Sequence, residues 1–230
     1  MKNFSFVLFV LFLLCPVCVT LGKTLPDQFN NKDVRGWIIL SDDMNAAIQT
    51  IKAAKEYDIN QLQLSHEIIH DLREIKTEKV CAQVNELVNL AHSEEINEVL
   101  LWDHSLYDID YYPERFRTGP GGTIDLDNTE FWEWLKDDYR QMLDRVSEAD
   151  GLVLTFIETG AYAERQFSKK MKSSEEKLAA VVNAISDVLI GERKKKLYIR
   201  TFAYSEEEYK GTTGCIEYLK YDEVILMMKE

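Results

Sequence analysis

Cysteine is scarce in this chain. There are four, and two of them, Cys15 and Cys18, stand in an apolar leader, so only Cys81 and Cys215 remain beyond it. Two cysteines far apart in sequence make no disulfide framework. Their spacing does not decide whether they pair, and two small buried side chains are the plainer reading. Positive charge is also short. Lys and Arg number 27 against 40 Asp and Glu, a net charge of −13. A surface of that sign repels phosphate backbones and anionic lipid alike, which argues against nucleic acid as a partner. The chain has no low-complexity linker, no heptad run and no short-period repeat. No glycine-rich turn follows the first strand-like run, which argues against a nucleotide fold.

What is there begins with MKNFSFVLFVLFLLCPVCVTLGKT. Lys2 supplies a positive end, residues 4–14 are apolar except for Ser5, and Thr20 and Gly22 are small residues suited to a cut. This predicts a secretory signal peptide over 1–22, too short for a comfortable membrane span. Leu14 and Val17 stand where a small residue would precede a lipidated cysteine, which argues against a lipoprotein. The expectation is a secreted or periplasmic protein, with no membrane partner once the signal is removed. Residues 23–230 are enough for one domain.

Strand-like and helix-like stretches then alternate. The runs 36–41, 59–65, 97–103, 151–158, 196–204 and 223–229 read as strands. Helices are predicted over 44–57, 79–95, 128–146 and 173–190. Asn128 is the expected N-cap of the third, and a Ser/Glu start opens the fourth. Such alternation implies parallel strands with crossover helices. The fold class is α/β, a (β/α) TIM-type barrel with about six of its eight strands. Chemistry in such barrels sits at the C-terminal strand ends. The residues there are Asp42 and Asp43, Ser65 and His66, Trp102, Asp103 and His104, Glu158, and Tyr204.

One of these ends carries a second signal. Residues 66–70 read HEIIH, the HExxH spacing of zinc peptidases. That chemistry needs both imidazoles on one helix face, with Glu67 acting on a metal-bound water. The preceding INQLQL alternates like a strand, and no HxxGxxH extension follows. The expectation is therefore no metal and no cofactor, with His66 at the barrel mouth; a zinc metallopeptidase using 66–70 stands as an alternative.

Glu158 ends an apolar run. A rigid strand end and a partly apolar pocket suit a carboxyl that donates a proton to a glycosidic oxygen. The stretch TIDLDNTEFWEWLKDDYRQMLDRVSEADGLVLTFIETG (123–160) resembles the lead into strand four of glycoside hydrolase family 67, the α-glucuronidases. Asp125, Leu126 and Asp127 match the family's lead without its prolines, Trp132 and Trp134 fall in its Trp-rich helix, Asp150 and Gly151 in its turn, and Glu158 near its acid. YIRTFAY (198–204) resembles the family's fifth strand through Arg200, Phe202 and Tyr204. Thr155 and Phe156 stand where the family carries a lysine, and Ser65 and His66 where it places asparagines.

The resemblance implies a secreted enzyme that removes a uronic acid or related sugar from a polysaccharide, with a carbohydrate as its partner. Glu158 is the implied general acid, and Arg200 the fork for a carboxylate or hydroxyls. Trp102, Tyr162 and Tyr204 are candidates for stacking on sugar rings; Ser65, His66, Asp103 and His104 are candidate hydrogen-bonding contacts. The family's base lies past strand six, where this sequence stops, so a C-terminally incomplete barrel over 23–230 is expected. A non-catalytic carbohydrate-binding barrel is the other alternative.

Overall fold

The computed structural model describes residues 34–228; the expected signal peptide, 1–22, lies outside the described residues. Six strands form one parallel sheet in sequence order: β1 (Gly36–Ile39), β2 (Gln61–Leu64), β3 (Glu98–His104), β4 (Gly151–Thr155), β5 (Lys196–Arg200) and β6 (Ile225–Met227). The sheet curls into a half-barrel with helices between its strands. Those helices are α1 (Met44–Ala54), α2 (Glu78–Ser93), α3 (Thr129–Arg145), α4 (Ser174–Ser186) and α5 (Glu206–Gly214). None among the described residues is long and apolar enough to cross a membrane.

The caps follow from the sequence. Asn128 accepts a hydrogen bond from the Glu130 N–H and starts α3. Ser173 and Glu176 form a reciprocal capping box on α4, which satisfies two donors a helix start leaves open. Asp43 accepts from Asn45 and Ala46 at α1.

The strands bury two different faces. Leu62, Leu64, Val99, Leu101, Leu152, Leu154, Leu197 and Ile199 point to the helices and join the main core. Leu100, Trp102, Val153 and Tyr198 form a second cluster on the inner face, with Met227 packed against it. The alternation of INQLQL proves to be a split between these two buried faces. Gln61 and Gln63 are as buried as the leucines beside them. At the edge strands the inner face meets water: Ile38 is 47% exposed, Leu40 just past β1 49%, and Ile225 in β6 39%. Cys81 and Cys215 are unpaired; burial pushes the Cys215 thiol up to about 12.

Candidate functional site

Two short segments at the C-terminal strand ends have unusual backbones. Among the described residues, five that are not glycine have positive φ: Asp58, His66, Glu95, Glu158 and Lys194. Asp58, Glu95 and Lys194 lie just past helical turns, where a left-handed residue commonly ends a helix. His66 (φ 51°) and Glu158 (φ 60°) end no helix; they lie beyond β2 and β4. A left-handed non-glycine residue costs on the order of 1 kcal/mol and is held by its surroundings.

Those surroundings form one continuous cluster. Trp102, on the inner face at the top of β3, has the His66 ring on it at 4.9 Å between centroids. The Arg200 guanidinium lies over the same indole, 4.6 Å from its centroid, and 4.9 Å from that of Phe202. Phe202 meets Tyr204 edge to face at 5.2 Å, and the Tyr204 hydroxyl donates to the Glu158 carboxylate. Ser65, fully buried, is 2.5 Å through Oγ from His66 Nδ1. The chain of contacts therefore runs from Ser65 and His66 through Trp102, Arg200, Phe202 and Tyr204 to Glu158. The hydrogen bond to Glu158 is the main cause that holds the Tyr204 phenol above its usual range. Burial draws Arg200 below its usual value while the nearby Glu158 charge opposes that shift. Trp102 is only 3% exposed, because His66 and Arg200 cover it; it forms the floor of the mouth rather than its open surface.

The loop that carries Glu158 is pinned to the one after β3. The Thr159 hydroxyl donates to the Leu106 carbonyl. A Cβ on Gly160 would lie 2.0 Å from Asp108 Oδ1 and 3.1 Å from Asp108 Cα, so only glycine fits this close approach.

Asp103 and His104 lie elsewhere. Asp103 follows Trp102 in the strand and so points to the opposite face. Its carboxylate is wholly buried against Arg73 Nη1 at 3.1 Å and the Tyr139 hydroxyl at 2.5 Å, and cannot reach a ligand in the mouth. Arg73 also grips both oxygens of Asp71, at 3.0 and 3.1 Å. His104 is 2% exposed, with Nδ1 3.2 Å from Asp71 Oδ2. Burial works against the Asp71 charge, but Arg73 and His104 together outweigh it and hold this carboxyl well below the usual range. Asp103 is pushed the other way, by burial and by the Asp71 charge. This cluster clamps the loop after β2 onto β3.

Residues 66–70 form turns, so the helix a zinc peptidase would need is not there. The His66 ring lies on Trp102 and the His70 ring on His104, at 4.7 Å. No group of three or more His, Cys, Asp or Glu among the described residues is placed to hold a metal ion.

Tyr162 lines a cavity of about 450 Å³ beside the mouth, together with Phe156, Glu164, Arg165 and Ser205, the residue after Tyr204. The Arg165 guanidinium lies 4.0 Å over the Tyr162 ring, and burial pushes the Glu164 carboxyl up.

No family model and no curated protein matches the chain. A likeness to solved structures does exist. The structure described as "Structure of CpGH84D", a glycoside hydrolase family 84 protein, superposes with a TM-score of 0.54 at 11% identity. The match covers 85% of this chain and 31% of that one. The chain thus spans about a third of the neighbour's length, and the shared property is the fold.

Proposed function

We propose that the chain is part of the barrel of a secreted glycoside hydrolase, a TIM-type (β/α) barrel of α-glucuronidase-like activity on uronic-acid-containing polysaccharide. Residues 1–22 would be its signal peptide, and 23–230 would supply six strands of its barrel. The observation that carries this reading is the convergence of Glu158, Tyr204, Arg200 and His66 at the C-terminal ends of parallel strands, where such barrels place their chemistry. The family 84 fold likeness agrees with it.

In this reading Glu158 is the general acid, and the phenol of Tyr204 orients its carboxyl. Arg200 binds the sugar's carboxylate through its planar fork. Ser65 fixes the ring of His66, which meets a hydroxyl. Trp102 supports Arg200 and His66 from below, and Tyr162 extends the contact surface into the adjoining cavity. A carbohydrate-binding barrel without turnover uses the same residues, so the test has two readouts. Wild type and Glu158→Gln are assayed for binding of glucuronoxylan oligomers and for release of glucuronic acid. Turnover by the wild type alone, with binding by both, supports the hydrolase. Binding by both and turnover by neither would show that this chain by itself binds without cleaving.

A further inference from the structure

Beside its apolar cluster, the inner face of this sheet buries polar side chains where a parallel barrel is ordinarily filled by branched apolar ones. Gln61, Gln63 and Glu98 are each 5% exposed or less. Burying such groups without partners costs about 1–3 kcal/mol each, yet here they bond in series. Lys196 Nζ and the Tyr198 hydroxyl donate to Glu98, the latter at 2.6 Å. Gln61 Nε2 donates to Glu98 Oε1 at 2.8 Å, and Gln63 Nε2 to Gln61 Oε1 at 3.2 Å. Gly36 leaves the room: a Cβ there would lie 3.0 Å from Gln61 Oε1.

The series ends at the mouth. The Trp102 indole N–H donates to Gln63 Oε1 at 3.2 Å. This is the hydrogen bond that fixes the indole's rotation, and the indole is the seat of both Arg200 and His66. We infer that Gln63 is a positioning residue: through the Trp102 indole it sets where Arg200 and His66 stand at the mouth. The consequence for ligand binding rests on the carbohydrate reading above; the positioning of the indole does not.

A double-substitution cycle tests it, with Gln63→Leu, Trp102→Phe and the pair. The chain has four tryptophans, and the indole N–H resonance missing from Trp102→Phe identifies that of Trp102. In Gln63→Leu this resonance should move more than the other three. Affinity for glucuronate, followed by NMR titration, should fall about fivefold, the size expected for one lost hydrogen bond. On the Trp102→Phe background, Gln63→Leu should change that affinity less than twofold. Gln63→Met, which keeps the side-chain length, serves in place of Gln63→Leu should that variant not fold. An unmoved Trp102 resonance, or affinity losses that simply add, would overturn the inference. Should glucuronate bind none of the proteins, the carbohydrate reading of the mouth fails, and the resonance still decides whether Gln63 positions the indole.

Discussion

The Tyr204 hydroxyl donates to Glu158 Oε1 and so joins the loop after β5 to the loop after β4. Tyr204 is 67% exposed, so this contact orients the carboxyl at the surface of the mouth and adds little to the core. Tyr204→Phe keeps the ring's edge-to-face contact with Phe202 and removes the donor. Its kcat/KM on glucuronoxylan oligomers should fall about fivefold, since one hydrogen bond is worth about 1 kcal/mol net. Its thermal midpoint should match that of the wild type.

Arg73 should behave in the opposite way. Its side chain is 2% exposed, and it bridges the Asp71 carboxylate and the Asp103 carboxyl, neither of which has access to water. Arg73→Met leaves the Asp71 carboxylate without its cation, and removing one partner of a buried ion pair costs about 3–5 kcal/mol. Urea unfolding should show a loss of that size. A variant as stable as the wild type would show that the clamp carries no net stabilisation.

The same cluster sets a pH dependence. Asp71 is held below its ordinary value of 3.8, so its contribution to stability is present above that value and is lost as pH falls through the lower, folded-state pKa. Asp103, held up by burial, works in the opposite sense. Asp71→Asn should therefore be less stable than the wild type near pH 5. That margin should shrink as the pH is lowered below 4. Urea midpoints at a series of pH values check this, and a margin that grows in acid would contradict it.

Gly160 offers a steric test of the mouth. Gly160→Ala places a Cβ against Asp108, including its backbone at 3.1 Å. The loop between Thr159 and Ala161 must shift, and Glu158 with it. Binding of glucuronoxylan oligomers should weaken several-fold while the far-ultraviolet circular dichroism is unchanged. Unaltered binding would place the loop outside the site.

The six strands and four of the five helices were legible because short apolar runs mark the strands, with period-two alternation in β2, and a spacing of three to four, with cap residues, marks the helices. Helix α5 was not, because EEEYKGTTG offers no apolar stripe; its signal was the Ser205–Glu208 spacing of a capped start, and Ser205 does accept from the Glu208 N–H. At the site the strands were legible but their ends and faces were not: β4 stops at Thr155 and β5 at Arg200, so Glu158 and Tyr204 stand in the loops beyond them. Trp102 and Asp103 are neighbours, and the strand turns one to the mouth and the other to the helices. Counting parity from Leu100 separates them. Arg73 was missed because a charge within HDLREI reads as surface; its meaning comes from Asp103, thirty residues away in the chain. Gln61 and Gln63 alternate with leucines as solvent-facing residues do, and only the curl of the sheet buries them.

The central claim is that Glu158 donates a proton to the leaving oxygen. The most direct measurement compares Glu158→Gln with the wild type on two substrates, a p-nitrophenyl α-glucuronide and a glucuronoxylan oligomer. A nitrophenolate departs without protonation, whereas a sugar alkoxide needs the acid. The account predicts a small loss of kcat on the aryl substrate, within about tenfold, and a loss of about a hundredfold or more on the oligomer. Equal losses on both substrates, or an oligomer rate unchanged by the substitution, would contradict it.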